Sequence, residues 1–394
     1  MRACFGVKTQ LLISRVFSHP VSPSAAVRWR AAQTRLFCSP PTGEEKPQPS
    51  MLRHLISKIK ATGPITVAEY MREVLTNPLT GYYVRNNMLG PDGDFITSPE
   101  ISQIFGELLG VWIISEWMGA GRPKHLQLVE LGPGKGSLAS DVLRVFSQLQ
   151  SQLFNSQEAD AKDEPVYRRN IFNGLPVSGM KGWREVMVDI DPEKPGQLRF
   201  VVVPSPTLAS STLVQADERR GHVEVCAEGG VFVQQLARRI ENDGGAALIA
   251  DYGHDGTKTD TFRGFKGHQL HDVLSSPGSA DLTADVDFSY LRKMAGGGVA
   301  CLGPVTQRLF LKNMGIDSRM QVLLRNCSDA STRKQLISSY DMLTNPAKMG
   351  ERFLFFSLLH HSRLAEPKKQ VGLKLEKKSP APLPVAGFTE LSFS

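Results

Sequence analysis

Gln127-Leu128-Val129-Glu130-Leu131-Gly132-Pro133-Gly134-Lys135-Gly136 is the stretch that decides how this chain is read. Residues 127–131 form a short apolar run of buried-strand type, and the run stops at a glycine. Beyond Gly136, Leu138, Val142, Leu143 and Phe146 recur at helical spacing. The unit is strand, glycine turn, helix. Farther on, Ala246-Ala247-Leu248-Ile249-Ala250 is a second run of the same kind, preceded by a helical pattern over 231–240 and ended by Asp251-Tyr252-Gly253. Buried strands alternating with helices predict an α/β sheet.

Three nucleotide-binding patterns compete for the turn. A P-loop needs a glycine five positions before Gly134-Lys135 and a hydroxyl residue after it; the chain has Val129 and Gly136 there. The dinucleotide fingerprint places its third glycine at 137, where Ser137 stands. Glu130-x-Gly132-x-Gly134-x-Gly136 fits the third pattern, which is similar to that of class I S-adenosylmethionine methyltransferases. The glycines let the backbone approach a flat, bulky ligand. The acid at the strand tip, Glu130, suits a cationic ligand with ribose hydroxyls and would repel a pyrophosphate. A tight strand–helix turn in some other α/β protein is the competing reading of the same residues.

Asp251-Tyr252-Gly253-His254-Asp255 follows a strand and is therefore expected at the carboxyl edge, where open α/β sheets bind ligands. A guanidinium acceptor stays charged, so methylating it calls for carboxylates that orient the fork and accept its spread charge. Asp251 and Asp255 are the candidates, with Asp251 as a simple turn cap the alternative. His268, His271 and Asp272 lack a further ligand at diagnostic spacing, and no metal is expected.

Ahead of the turn the pattern is helical. Leu52, Leu55, Ile56 and Ile59 share one face. Thr66 with Glu69 reads as a capping box for a helix carrying Tyr70, Met71, Val74 and Leu75, which Asn77-Pro78 ends. Ser98 is expected to cap the next helix, with Pro99 in its first turn, Glu100 at its positive end, and an apolar face from Ile101 to Ile113.

The charge is unevenly distributed. The chain has 46 Lys and Arg against 39 Asp and Glu, but six of the basic residues and none of the acidic ones lie in 1–43. The remaining 40 basic and 39 acidic side chains nearly balance, so the basic excess belongs to the leader and gives no argument for nucleic acid. Arg2, Arg15, Arg28, Arg30 and Arg35 among Ser, Ala, Val and Phe read as a mitochondrial presequence, with Arg35-Leu36-Phe37-Cys38-Ser39 similar to a matrix-processing site. No apolar run is long enough to span a membrane. Five widely spaced cysteines with no C-x-x-C pattern indicate neither a zinc ribbon nor a disulfide framework.

Further motifs stand in order along the chain: Asn77-Pro78-Leu79-Thr80-Gly81-Tyr82-Tyr83, Gly93-Asp94-Phe95-Ile96-Thr97-Ser98-Pro99-Glu100 and Val129-Glu130-Leu131-Gly132-Pro133-Gly134. Gly182-Trp183-Arg184-Glu185-Val186, Ala250-Asp251-Tyr252-Gly253, residues 281–288 (DLTADVDF) and Gly350-Glu351-Arg352-Phe353 follow. The set resembles the MidA family, mitochondrial protein arginine methyltransferases that assist assembly of respiratory complex I, across 50–365. The resemblance implies a mitochondrial matrix enzyme with S-adenosyl-L-methionine as co-substrate. It implies symmetric dimethylation of an arginine in a core peripheral-arm subunit of complex I. It places Gly132, Gly134 and Gly136 at the cofactor with Glu130 beside them, and brings Thr97 and Ser98 close to the glycine turn.

The chain departs from that family in one place. The family has an apolar strand ending in Val-Glu after the first helix, and later an Asn-Glu-Phe-Phe-Asp-like segment after another strand. Residues 147–182 carry no strand-like run and neither motif, and they are too few for two strands with their crossovers. The expected fold class is α/β: a class I (Rossmann-like) methyltransferase sheet with an N-terminal helical region and its central strands truncated. The expected domains are a presequence (1–43), a linker and helical region (44–125), a methyltransferase domain (126–365, with a deletion around 150–182) and a basic, solvated, Pro-containing tail (366–394). A catalytically impaired form acting only as a non-enzymatic assembly factor is the alternative function.

Overall fold

The two apolar runs form two strands of one sheet in the computed structural model, with a single strand between them. The structure describes residues 10–17, 50–85, 97–123, 125–132, 136–153, 170–173, 182–364 and 384–389. The run before the glycine turn is β3 (His125–Leu131), and the second is β8 (Ala246–His254). With β1 (Gln10–Phe17), β13 (Ala300–Thr306) and β14 (Phe353–Leu359) they give the order β13-β14-β8-β1-β3, and β12 (Val286–Asp287) pairs parallel with the end of β8. β1 is antiparallel to both neighbours, with Leu12 opposite Glu130 on one side and Leu248 on the other. β3 and β8 therefore run the same way, and their carboxyl ends share one edge.

Both faces of this sheet are covered, which is why β8 reads as a continuous apolar run. Ala247 and Ile249 point to α8 (Ala227–Asp243) and α9 (Phe288–Ala295), where Val233, Leu236, Phe288 and Leu291 are buried. Leu248 and Ala250 alternate to the other face and meet α5 (Gln103–Gly119), α6 (Ser137–Leu153) and α10 (Gln307–Asn313) through Trp112, Ile113, Val142 and Phe310. The helices α11 (Ile316–Asn326) and α12 (Ala330–Thr344) complete that layer. α5 and α6 approach closely at Gly106, where a Cβ would lie 2.4 Å from that of Asp141.

A second sheet runs β2-β5-β4-β7, with β6 on the other edge of β5, all antiparallel: β2 (Ile65–Thr66), β4 (Asn170–Asn173), β5 (Arg184–Ile190), β6 (Leu198–Val202) and β7 (His222–Val225). The N-terminal helices α1 (Met51–Thr62) and α2 (Val67–Thr76) pack on it through Leu55, Ile59, Tyr70 and Val74 against Val188. Thr66 caps α2 by accepting from the Glu69 N–H at 3.1 Å, one half of the capping box its sequence predicts, while the Glu69 side chain pairs with Lys58 at 2.7 Å. The short α3 (Tyr82–Arg85) and α7 (Leu208–Thr212) flank this unit. A three-stranded antiparallel sheet, β10-β9-β11, consists of β9 (Arg263–Lys266), β10 (Gln269–His271) and β11 (Asp281–Thr283).

Three expectations change. Residues 170–173, read from sequence as having no strand, form β4, whose backbone is satisfied by β5 and β7. Ser98 is not the cap of the long helix: Thr97 precedes the short α4 (Ser98–Ile101), the backbone turns extended at Ser102, and Ser102 caps α5 by accepting from the Ile104 N–H at 3.3 Å. Within the tail, Val385 and Ala386 are buried, and Phe388 sits edge-on to Phe310. Among the described residues no helix is long and apolar enough to cross a membrane.

Candidate active site

The strand β3 carries Glu130 to the carboxyl edge and buries it, leaving 4% of its surface exposed. The Ala139 backbone, in the first turn of α6, hydrogen-bonds to its carboxylate, while Oε2 has no partner among the described residues. Burial raises the carboxyl from 4.5 to about 7, against the smaller opposing pull of that bond. Gly132 and Gly136 bracket the turn at φ 71° and 79°, the left-handed region that favours glycine. A Cβ at Gly136 would meet nothing within 4 Å among the described residues. Gly134, the middle glycine, lies outside the described residues. A buried acceptor lacking a donor among the described residues, beside the glycines that bracket the turn, fits a ligand that brings hydroxyl or ammonium donors. It does not fit a diphosphate, which brings acceptors and negative charge.

Thr97 and Ser98 face other partners. The Thr97 N–H and hydroxyl both donate to Glu100 Oε2, at 3.2 and 3.1 Å. Ser98 is buried and donates to Gln307 Oε1 at 3.4 Å, and Gln307 Nε2 in turn donates to the Leu343 carbonyl at 2.8 Å. Ser98 thus ties α4 to α10 and, through Gln307, to α12, while Thr97 closes the first turn of α4. α4 also packs against α6, the helix that leaves the glycine turn.

Asp251 and Asp255 are separated in environment. The strand predicted to stop at Ala250 continues through His254, because β14 pairs with it at Leu354–Asp251 and β12 at Val286–Gly253. Asp251 is fully buried within it, and its Oδ1 accepts from the Tyr252 N–H at 2.8 Å. Asp255 lies beyond the strand, 43% exposed, paired with Arg292 Nη1 at 2.9 Å. Arg292 is also tied to the Gly303 carbonyl at 2.6 Å. The two acids do not form a joint clamp.

The carboxyl edge holds residues that sequence reasoning did not single out. Tyr83 donates to Asp281 Oδ1 at 2.8 Å, and the Tyr252 hydroxyl meets the Thr283 hydroxyl. The Arg263 guanidinium sits 5.5 Å from the Tyr252 ring centroid and contacts Asp285 at 2.5 Å. Lys258 reaches the other oxygen of Asp285 at 2.5 Å. Burial works to raise the Asp285 carboxyl, but Lys258 and Arg263 together hold it below its ordinary value. Asp287 caps α9, accepting from the Ser289 and Tyr290 N–H groups, and pairs with Arg220 at 2.8 Å. The signal was the Asp281, Asp285, Asp287 spacing inside one motif; the pairing of β12 with β8 at Gly253 and the Tyr83–Asp281 bond supply the rest.

Ligating atoms of His222, Glu224 and Asp260 lie within 4.8 Å of one another. Glu224, however, accepts from the Thr261 and Phe262 N–H groups at 2.9 and 2.8 Å and from the Thr261 hydroxyl, which is the arrangement of a loop clamp. His271 Nε2 is engaged with the Ser275 carbonyl at 3.1 Å. A cavity of about 280 Å³ lined by Glu116, Ala246 and Arg363 opens at the amino end of β8, the edge opposite Glu130.

Comparison with known proteins bears on this geometry. The family described as "Putative S-adenosyl-L-methionine-dependent methyltransferase" matches residues 108–160 and 167–305. Protein arginine methyltransferase NDUFAF7, mitochondrial, of Danio rerio is 60% identical over 399 residues, covering 87% of this chain and 93% of that protein. The Homo sapiens protein of the same name is 51% identical, covering 93% of this chain and 95% of its own length. The Drosophila melanogaster homolog is 43% identical over 78% of this chain and 84% of that protein. A Burkholderia thailandensis protein crystallised with S-adenosyl-homocysteine shares the fold at a TM-score of 0.64, with 22% identity over 79% of this chain and 92% of that one. The Danio alignment spans more positions than 87% of this chain supplies, so that relative contains residues absent here.

Proposed function

The chain belongs to the MidA-type family of S-adenosylmethionine-dependent methyltransferases, and from that premise we propose that it is a mitochondrial protein arginine methyltransferase acting in the matrix on a core peripheral-arm subunit of respiratory complex I. The product is symmetric dimethylarginine, and the modification supports assembly of the complex. The observation that carries the reading is Glu130: a buried carboxylate with one oxygen unpartnered among the described residues, beside Gly132 and Gly136, at the edge where β3 and β8 both end.

S-adenosylmethionine supplies an electrophilic methyl group on a sulfonium. Glu130 would take hydroxyl or ammonium donors of that ligand, and Gly132, Gly134 and Gly136 would let the backbone approach it. Asp251, buried on the parallel strand β8, one strand removed from β3, supplies negative charge near the acceptor end of the site. Asp255, held by Arg292, is left with an outer electrostatic role. Thr97 and Ser98 position α4 against the helix that leaves the bend.

The direct test incubates the protein with methyl-labelled S-adenosylmethionine and the isolated complex I core subunit, followed by acid hydrolysis. Label in symmetric dimethylarginine is the expected result. A folded, cofactor-binding protein that transfers no label to arginine overturns it. A second reading, an assembly factor without transfer, is favoured by one observation: β1 lies between the strand of Glu130 and the strand of Asp251. Capture of the subunit with no label transferred distinguishes it.

A further inference from the structure

Among the described residues, two buried carboxylate oxygens lack a hydrogen-bond partner, Glu130 Oε2 and Glu185 Oε1. The first belongs to the site above. The second lies on β5, where Glu185 is 2% exposed. Burial raises its carboxyl above the ordinary range, and the Thr207 hydroxyl, donating to Oε2 at 2.7 Å, opposes that rise. No cation pairs with Glu185 among the described residues; the guanidinium of the adjacent Arg184 reaches the Pro204 and Trp183 carbonyls. An acid serving solely to clamp Thr207 would be replaced at lower cost by a neutral amide, because a buried charge without a counter-charge is destabilising. A buried acceptor left in this state calls for a partner that completes it.

Strand register shows which way the side chain faces. Glu185 stands opposite Phe172 of β4, and Phe172 stands opposite Val223 of β7. Directly opposed residues of antiparallel strands share a face. Val223 is buried in the cluster that also holds Leu131, the last residue of β3 before Gly132. Val186 and Val188 alternate to the other face, against α1 and α2. Glu130 alternates with Leu131, so its carboxylate leaves β3 on the side of α6, while Glu185 faces the core on the opposite side. Trp183, just ahead of β5, packs against that same core. Thr207 is itself fixed: its N–H donates to the Ser210 hydroxyl and its hydroxyl accepts from the Ser210 N–H, both at 3.0 Å. The Val203 N–H holds the Glu185 carbonyl at 3.0 Å. One carboxylate oxygen is thus pinned and the other is presented.

We propose that Glu185 binds the guanidinium of the acceptor arginine, with the indole of Trp183 beside its stem; this rests on the methyltransferase reading above. A guanidinium is permanently charged, carries five N–H donors, and pairs with carboxylates and aromatic faces. It supplies both the counter-charge and the donor that Oε1 lacks. The cofactor has its own acceptor in Glu130, on the other side of β3.

The test uses the full chain and two probes, ethylguanidine and the isolated core subunit. Ethylguanidine at millimolar concentration is expected to raise the melting temperature of the parent and to compete with the subunit for methyl transfer. Both effects are lost in Glu185→Gln. The same variant should raise the KM for the subunit at least tenfold, bind S-adenosylhomocysteine within twofold of the parent, and melt no lower than it. Thr207→Val keeps the charge but frees the carboxylate, so it should raise the KM by a smaller factor, with ethylguanidine still competing. Equal ethylguanidine effects in the parent and Glu185→Gln, or none in either, overturn the inference. So does a Glu185→Gln protein that loses S-adenosylhomocysteine binding together with transfer, or one that fails to fold while Thr207→Val leaves the KM unchanged. The melting readout needs no turnover. A parent that transfers no label yet keeps the Glu185-dependent ethylguanidine effect defeats the methyltransferase reading and leaves the guanidinium site standing.

Discussion

Tyr83 donates its hydroxyl to Asp281 Oδ1 at 2.8 Å, joining the N-terminal helical region to the three-stranded sheet beside the carboxyl edge. The phenol is buried and its pKa lies well above the ordinary value, through desolvation first and the Asp281 charge second. It therefore acts as a donor throughout the neutral range. The bond locks together two of the motifs read separately in the sequence, residues 77–83 and 281–288.

Tyr83→Phe removes the donor and leaves the buried Asp281 with one bond fewer. The expected cost is about 1–3 kcal/mol, because the surviving partner is a buried carboxylate. Urea denaturation should show a lower midpoint with an unchanged slope. A midpoint identical to that of the parent chain would mean that water replaces the phenol.

Glu130→Gln tests the site's acid through stability and binding at once. The folded state holds the Glu130 proton more tightly than the unfolded chain does, since burial lifts the carboxyl from 4.5 to about 7. Below about pH 4.5 both states are protonated and the acid costs nothing. As pH rises toward 7 the unfolded chain ionises first, and stability is lost; above 7 the full penalty, about 3 kcal/mol, is present. Glu130→Gln should accordingly melt higher than the parent at pH 8 and close to it at pH 5. The same change should weaken S-adenosylhomocysteine binding at least tenfold by calorimetry at pH 8. Higher stability without weaker binding would remove Glu130 from the cofactor site.

Asp251 and Asp255 should respond oppositely to substitution. Asp255→Asn breaks an exposed pair with Arg292 and should cost no more than about 1 kcal/mol, with methyl transfer within a few-fold of the parent. Asp251→Asn alters a fully buried group on the central strand and should reduce transfer at least a hundredfold. Steady-state rates for the two variants, with melting curves to normalise for folding, decide the matter.

Arg363→Met addresses the far end of the sheet. Arg363 Nε and Nη2 reach Glu116 at 2.9 and 3.1 Å with both side chains buried, and Nη2 also donates to the Pro384 carbonyl at 3.2 Å. Burial raises the Glu116 carboxyl, and Arg363 opposes it. Removing the cation should cost about 3–5 kcal/mol near neutral pH, less in acid where Glu116 can take a proton. Residues 384–389 should become sensitive to limited proteolysis at the same time.

Much of the local structure was legible because short-range chemistry sets it. The Thr66 cap, the end of α2 at Asn77, the run into Gly132 and the helix after Gly136 all follow from neighbours within a few residues. Ser98 was misplaced because the choice between it and Ser102 as cap depends on a bend at 102. That bend lets Ser98 reach Gln307, more than two hundred residues away. The tail was read as solvated from its lysines and prolines, yet Val385 and Ala386 are buried and Phe388 packs on Phe310, a contact no local pattern encodes.

By itself the sequence determined the α/β class, the glycine bend with its acid, and the family motifs, since periodicity, turn chemistry and spacing are properties of adjacent residues. Only the tertiary structure decided that Asp251 is buried within a strand while Asp255 is paired outside it. It also decided that Glu130 is buried with an oxygen unpartnered among the described residues, and that a strand separates β3 from β8. Those outcomes depend on which distant backbone edges and side chains satisfy one another once water is excluded.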